Sequence, residues 1–364
     1  MRQRCVTGLL VSLALTILAA HQDSETPQAP PIFRLAVDLV PIDVTVLDRQ
    51  RKPVRGLHAT DFTVLDNGVP QPIVSFASID LASEQSEGSA HGLGLARPLG
   101  TPNLLSDYGA GRLVMIVVET YLMRGPAAAR AQTARAIALA IVAGLGPKDV
   151  GLVAFPGAGI AQVMTSDQRR LRAAIVAPFR DSAGAEPAKR VSSCSAPLEL
   201  LVDLAESIRN SPRRKLLFYV GNSLTIQAPG ATCLEGVRNK LFALLKEANI
   251  TVHSFDTAGL QTLARGADTG MRPGTNRTGL MMSHLVRQGN LLVLPDLTGG
   301  RGIMNTNSPE EHVPSVLAET TQYYVLGIVA NGKADKEPHR LDVRSRVPDA
   351  IIQARQTYSV SSFQ

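Results

Sequence analysis

The stretch Arg112-Leu113-Val114-Met115-Ile116-Val117-Val118 decides the fold, because from Leu113 onward it is a continuous apolar run of the length of one β-strand. Apolar side chains at every position are typical of strands that are buried on both faces, as in parallel sheets covered by helices. Four further strands are predicted at 150–155, 160–164, 215–220 and 250–255. Helices are predicted at 127–145, 198–209, 235–248, 280–294 and 310–320. Strands that alternate with helices predict an α/β fold with a mostly parallel sheet and helices on both faces.

The two ends of the chain show an alternating pattern that is typical of antiparallel strands. Apolar residues recur at every second position in much of 33–80, and Asn67-Gly68 is a strong signal for a tight hairpin turn. Three more strands are predicted at 323–329, 341–347 and 351–360. Neither set makes a convincing sheet alone. We therefore expect both sets to build one β-sandwich-like module into which the α/β domain is inserted.

The first twenty residues have the charge and length of a signal peptide. Arg2 and Arg4 give a positive start, and an uncharged apolar run follows from 9 to 20. That run is shorter than the roughly 20 residues that a transmembrane helix needs, and no later segment resembles a membrane span. Leu18 stands where a small residue is preferred before cleavage, so an uncleaved N-terminal anchor stays open as an alternative. We expect a secreted or periplasmic protein.

Composition argues against several classes of function. Lys and Arg total 37 against 31 Asp and Glu, a formal net charge of +6, and aromatic residues make up only 4%. No basic stripe is interleaved with aromatic residues, so nucleic-acid binding is not expected. The seven histidines show no paired metal-ligand spacing. His253 lies in a predicted strand, where a packed histidine is expected, and Asp256 follows as a turn or capping carboxylate. These patterns predict no cofactor.

Two groups of motifs resemble a known family. The strand 113–118, the helix after it and the strand Asp149-Val150-Gly151-Leu152-Val153-Ala154-Phe155 look like a von Willebrand factor type A (vWA) domain. The flanks resemble the vWA-related family of exported bacterial proteins, of the acidobacterial type, from about Phe33 to the C-terminus. The flanking segments are Val44-Thr45-Val46-Leu47-Asp48, Pro53-Val54-Arg55-Gly56-Leu57, Asp61-Phe62-Thr63-Val64-Leu65-Asp66-Asn67-Gly68, Pro70-Gln71, Leu297-Thr298-Gly299-Gly300-Arg301 and Tyr323-Tyr324-Val325-Leu326-Gly327.

The resemblance implies a vWA-like, Rossmann-type α/β domain inserted in the β-sandwich-like module. The expected organisation is a signal peptide at 1–20, a linker at 21–32, an N-terminal β module at 33–80, a flexible linker at 81–110, a vWA-like domain at 111–321 and C-terminal strands at 322–364 that pack with the N-terminal module. Open α/β sheets bind ligands at the carboxyl ends of their parallel strands. We expect the functional site at that edge.

Many vWA domains hold a divalent cation there, in a metal-ion-dependent adhesion site. That site takes Asp-x-Ser-x-Ser after the first strand, a Thr from a middle loop and an Asp after a later strand. Here the first motif reads Glu119-Thr120-Tyr121-Leu122-Met123, and a ring-borne phenol and a soft thioether cannot replace two close hydroxyls around a hard cation. The Thr position falls near Ser193 or Ser195, and the Asp position falls at Gly221-Asn222. The resemblance thus implies a degenerate site, with neither Mg²⁺ nor Mn²⁺ expected, at Glu119, Tyr121, Met123, Ser195 and Asn222.

We expect a non-catalytic module that binds a protein partner, because loops on a rigid scaffold concentrate binding residues. The candidate surface residues are Glu119, Thr120, Tyr121, Ser193, Asn222, Arg265, Arg272 and Arg277. Plain solvated charge is an equal interpretation of the three arginines. Metal-dependent adhesion through a remodelled site at Glu119 stays open as an alternative. A remote alternative is an exported hydrolase that uses Ser223, although the turn 221–225 lacks the second glycine of a nucleophile elbow.

Two cysteines follow the signal peptide, in which Cys5 lies. Cys194 precedes the predicted helix 198–209, which feeds the strand 215–220. Cys233 comes after that strand and a loop, so we expect both thiols at the carboxyl edge. An exported protein folds under conditions that permit disulfides. The sequence therefore predicts a Cys194–Cys233 disulfide, with two unrelated buried thiols as the alternative.

Overall fold

The computed structural model describes residues 39–81, 111–119, 128–181, 195–211, 213–226, 232–260, 277–330 and 339–358. Its strands are β1 (Leu39–Leu47), β2 (Phe62–Asp66), β3 (Val69–Gln71), β4 (Ile73–Asp80), β5 (Arg112–Val118), β6 (Val150–Phe155), β7 (Gly159–Thr165), β8 (Arg214–Gly221), β9 (Ile250–Asp256), β10 (Gly302–Ile303), β11 (Gln322–Val329), β12 (His339–Ser345), β13 (Ile351–Ala354) and β14 (Thr357–Tyr358). Its helices are α1 (Ala128–Ala143), α2 (Gln168–Asp181), α3 (Ala196–Ile208), α4 (Glu235–Glu247), α5 (Arg277–Thr298) and α6 (Val313–Glu319). Over these ranges, no helix has both the length and the apolar character needed to cross a membrane.

The middle of the chain forms a six-stranded sheet in the order β10-β9-β8-β5-β6-β7. Neighbours from β10 to β6 pair in parallel, whereas β7 pairs antiparallel with β6. Every residue of β5 and of β8 is buried. This burial explains the continuous apolar run 113–118, because both faces of the central strands contact other side chains.

Helices cover both faces of this sheet. One face packs against α3, α4 and α5, and the other packs against α1, α2 and α6. Buried contacts on the first face include Leu201, Leu241 and Leu291, and those on the second include Ile137, Leu171 and Val316. The predicted fold class, a mostly parallel sheet between two helical layers, is therefore confirmed.

The strands near the two ends of the chain pair with each other in two antiparallel sheets. The orders are β13-β1-β11-β4 and β14-β12-β2-β3, so each sheet combines N-terminal and C-terminal strands. Phe62 of the second sheet packs against Phe76 and Tyr324 of the first, with ring centroids 6.1 and 5.3 Å away. The two sheets thus share one core, and the predicted β-sandwich-like module with an inserted α/β unit is confirmed.

β1 continues without a break through Pro41. Proline lacks the N–H that a central strand needs on both sides. β13 reaches only Val44–Leu47 of β1, however, and the carbonyl of Pro41 accepts a hydrogen bond from the Arg355 side chain instead. The missing N–H therefore falls beyond the end of β13, where no ladder bond is lost.

Four elements differ from the sequence prediction. Helix α2 was not predicted, because its arginine-rich sequence hides the apolar stripe that includes Leu171 and Ile175. The predicted helix 310–320 begins instead as a 3-10 turn, Pro309–His312, before α6. The predicted strand 351–360 divides into β13 and β14, which join different sheets. The two-residue strand β10 is too short to leave a sequence signal.

Buried charged residues connect the α/β unit with the antiparallel sheets. Glu319 at the end of α6 is 1% exposed and accepts two hydrogen bonds from Arg51, at 2.8 and 2.9 Å. It accepts a third from Arg301 at 2.6 Å. Arg214 of β8 donates to Thr45 of β1 and lies 4.5 Å from the ring centroid of Tyr323. These contacts tie the α/β unit to the antiparallel sheets.

Candidate functional site

The candidate site lies where the strand order of the parallel sheet reverses. β5 and β8 are neighbours, yet α1 after β5 covers one face of the sheet and α4 after β8 covers the other. Ligands of open α/β sheets bind in the crevice at such a point, beyond the carboxyl ends of the strands. Glu119 directly follows β5, and Asn222 directly follows β8. The structure thus brings two of the predicted site residues together.

The carboxylate of Glu119 is held by the loop after β8. The backbone N–H groups of Asn222 and Ser223 donate to Glu119 Oε2, at 2.9 and 3.3 Å. The hydroxyl of Ser223 donates to Glu119 Oε1 at 3.1 Å. We call these three donors the Asn222–Ser223 cradle. A Cβ atom at Gly221 would lie 2.6 Å from Glu119 Oε2, so a larger residue there would force the carboxylate to move.

Burial dominates the acid–base properties at the cradle. It raises the pKa of the Glu119 carboxyl above its usual value, and the hydrogen bonds from Asn222 and Ser223 oppose that rise without cancelling it. Burial also raises the pKa of Tyr219 well above its usual value, with Glu119 contributing. The Tyr219 hydroxyl donates to the Ser223 carbonyl at 2.8 Å, which fixes the loop from below.

Helix α5 holds the same loop from the side. Arg287 donates to the Asn222 carbonyl at 2.6 Å and to Asp256 Oδ1 at 2.9 Å, and the Asp256 side chain is fully buried. Asn290 accepts a hydrogen bond from the Ile226 N–H at 3.0 Å. The carboxyl ends of β8 and β9 are therefore tied to the middle of α5. The sequence suggests Asp256 as a turn or capping carboxylate; in the structure it also anchors α5 through Arg287.

The part of α5 before Arg287 carries exposed apolar side chains. Met281, Met282, Leu285 and Val286 are between 46 and 58% exposed, and we call these four the apolar ridge. Leu260, four residues after β9, is 52% exposed. Because Arg287 contacts the strand ends, the apolar ridge lies beside the carboxyl edge of the sheet.

The other predicted site residues are only partly described. Ser195 donates to Glu199 at the start of α3 rather than to any group of the cradle. Arg277 is the first residue of α5, and its side chain lies outside the described part. Thr120, Tyr121, Met123, Ser193, Cys194, Arg265 and Arg272 lie outside the described residues. Cys233 lies in the 3-10 turn Thr232–Leu234. Because Cys194 lies outside the described residues, the predicted Cys194–Cys233 pairing stays a prediction.

Sequence reasoning missed Arg287 and the apolar ridge. The inward-facing positions of α5 include His284, Arg287, Leu291 and Leu294, at the 3-4-3 spacing of one helix face. Once that face is known to pack inward, the apolar residues of the run 281–286 must lie on the exposed side of the helix. The sequence therefore contains this information, but reading it requires the correct inward face of α5. The Ser223 hydroxyl donates to the Glu119 carboxylate at 3.1 Å.

No family model and no curated protein matches this chain. Several solved structures do match. BatB from Bacteroides thetaiotaomicron is 14% identical, over 57% of this chain and 98% of that one, with a TM-score of 0.32. The manganese-loaded TRAP protein of Plasmodium vivax is 11% identical over 69% and 96%, with a TM-score of 0.35. A von Willebrand factor type A protein from Catenulispora acidiphila is 9% identical over 81% and 72%, with a TM-score of 0.36. At these scores and identities, the matches say nothing of what this chain binds.

Proposed function

We propose that this chain is a non-catalytic, extracytoplasmic protein-binding module of the vWA-like kind, which binds its partner at the carboxyl edge of the six-stranded sheet. The observation that carries the proposal is the apolar ridge, because contiguous exposed apolar side chains on soluble proteins mark interaction sites. Two of the four are methionines, whose flexible and polarizable side chains adapt to varied partner surfaces. Arg287 and Asn290 hold this helix on the strand ends, so the ridge stands on a rigid base.

The cradle favours recognition without a metal ion. Glu119 is the carboxylate that a cation would need, but both of its oxygens already accept hydrogen bonds from the protein. The groups that surround it are N–H and O–H donors, whose positive ends repel a cation. A hard divalent cation requires several oxygen ligands, and the described residues at this edge do not fit that requirement. We therefore propose neither Mg²⁺ nor Mn²⁺ as a cofactor.

The same geometry supports a non-enzymatic function. The Ser223 hydroxyl, the group that a hydrolase would use, is one of the three donors that hold the Glu119 side chain against the loop after β8. The imidazole Nδ1 of His284 lies 3.2 Å from the guanidinium of Arg287, which itself holds the loop after β8. We accordingly propose a binding role for these side chains.

Export and a Cys194–Cys233 disulfide belong to the same proposal. The charged start and short apolar run at 1–20 support export, and the placement of Cys233 after β8 supports the pairing. The mature protein should begin near residue 21 by mass spectrometry. It should show no free thiol when denatured and oxidised; two free thiols per chain would contradict the disulfide.

Affinity capture from envelope extract tests the proposed function. The tagged mature protein is compared with a Met282→Glu/Leu285→Glu variant, which places two charges in the apolar ridge. A Val163→Glu variant is the matched control, because Val163 of β7 is also exposed, at 64%, but lies on the far edge strand of the sheet. We expect the same proteins to be captured by wild type and control and lost by the ridge variant. Equal capture by all three would refute the proposal.

A further inference from the structure

The cradle has the properties of a small receptor for a carboxylate. Three donors converge on the two oxygens of Glu119, two from backbone N–H groups and one from a hydroxyl. Hydrogen bonds to an ionised acceptor are among the stronger ones in proteins, and backbone donors cost no side-chain ordering when they bind. In this structure the carboxylate that occupies the cradle is the side chain of Glu119 of the same chain.

Contacts other than Glu119 keep the three donors in place. The Asn222 carbonyl accepts from Arg287, the Ser223 carbonyl accepts from Tyr219, and the Gly221 carbonyl accepts from the Thr257 N–H at 3.1 Å. The N–H groups of Asn222 and Ser223 belong to peptide groups whose carbonyls, those of Gly221 and Asn222, accept hydrogen bonds from Thr257 and Arg287. If Glu119 left, the donors would remain aimed at the same point. A preorganised site loses little affinity to ordering when a new ligand enters.

We propose that the cradle binds a carboxylate of the partner protein and that Glu119 occupies it in the absence of the partner. This inference rests on the proposed function and deepens it, because it gives the partner an exposed Asp or Glu beside an apolar contact for the ridge. Burial raises the pKa of the Glu119 carboxyl, and a carboxylate of the partner would meet the same burial in the cradle. The displacement is therefore an exchange of one carboxylate for another on the same three donors.

A rescue experiment with acetate tests the carboxylate receptor. Thermal unfolding of Glu119→Ala is followed in sodium acetate and in sodium chloride at equal ionic strength. The empty cradle should bind acetate, so the midpoint should rise saturably, by about 2–4 °C at tenfold excess over the dissociation constant. Wild type should need at least tenfold more acetate, because Glu119 competes. Sodium phosphate in a third arm distinguishes a carboxylate receptor from a general oxyanion site.

The double variant Glu119→Ala/Ser223→Ala is the matched control, since it removes one donor and should lose most of the acetate shift. An acetate shift no larger than that of chloride overturns the inference, as does an equal shift in wild type or a larger shift with phosphate. If Glu119→Ala does not fold, Glu119→Gln replaces it. The amide proton shifts of Asn222 and Ser223 on titration with acetate are then measured by nuclear magnetic resonance, and unmoved signals overturn the inference. No partner enters this test, so its failure leaves the result with the ridge variants intact.

Discussion

Acid should destabilise the fold through His253, a histidine in the middle of β9 that is 1% exposed. Its Nδ1 accepts a hydrogen bond from the Arg301 N–H at 3.1 Å, and its ring stacks on Phe218 with centroids 5.1 Å apart. Burial lowers the pKa of His253 from 6.5 to about 3, with Arg214 and Arg301 adding to the effect. Protonation of Nδ1 would remove the acceptor and place a charge in the core.

The sign and size of this loss of stability follow from the coupling between folding and protonation of His253. Because the pKa of His253 is lower in the folded state, the unfolded chain takes up the proton first as the pH falls. The stability that goes with a neutral ring is complete above pH 6.5 and is lost progressively between pH 6.5 and about 3. This one group should cost about 2 kcal/mol of unfolding free energy at pH 5 and about 3 kcal/mol at pH 4, relative to pH 7.

Urea unfolding at pH 7, 6, 5 and 4 measures this difference. His253→Gln keeps a neutral acceptor for the Arg301 N–H, and it should be less stable at pH 7 but should lose less stability than wild type on acidification. Val163→Gln is the control, because the Val163 side chain is 64% exposed and carries no titratable group, so its replacement should leave the pH slope unchanged. Equal pH slopes for wild type and His253→Gln would refute the reasoning.

Three further predictions concern the buried carboxylates and the metal. Glu319→Ala leaves two partly buried arginines without their shared partner and should lower the free energy of unfolding in urea by about 2–4 kcal/mol. Glu206 forms an exposed pair with Lys240, so Glu206→Ala should lower it by less than about 1 kcal/mol. Equal losses in the two variants would contradict this ranking. Gly221→Ala should destabilise by about 1–3 kcal/mol and displace Glu119, while Gly236→Ala, which meets no atom within 4 Å and lies in α4, should be neutral or stabilising. Calorimetric titration with Mg²⁺ and Mn²⁺ should give no saturable heat at micromolar affinity; a one-to-one isotherm that Glu119→Ala abolishes would show that the metal proposal is wrong.

Much of the fold could be predicted because a strand buried on both faces requires an apolar residue at nearly every position. The run 113–118 and its counterparts gave the parallel sheet, and Asn67-Gly68 gave the hairpin, where both residues have positive φ, 49° and 83°. The pairing of β1 with β11 joins residues almost 300 positions apart. Apolar alternation shows that such strands exist, but it does not state their register, so only the general module could be predicted.

The site was harder to predict because its groups carry little sequence signal. The sequence placed Glu119 and Asn222 at one sheet edge, which follows from the βα order alone. The cradle is formed mainly by backbone N–H groups, which every residue except proline possesses. The role of Arg287 depends on which face of α5 turns inward, and that face is set by packing against β8 and β9. A search for familiar catalytic or metal-binding side chains passes over all of these groups.

Hydrogen exchange on the complex with a captured partner tests the central claim most directly. Backbone amides are compared between the free and the bound protein across the described elements. If the partner binds the carboxyl edge, protection should rise in 219–226 and in 281–290, and the amides of β7 and of the antiparallel sheets should exchange as in the free protein. Protection confined to β7 or to the antiparallel sheets, with 219–226 and 281–290 unchanged, would contradict the account.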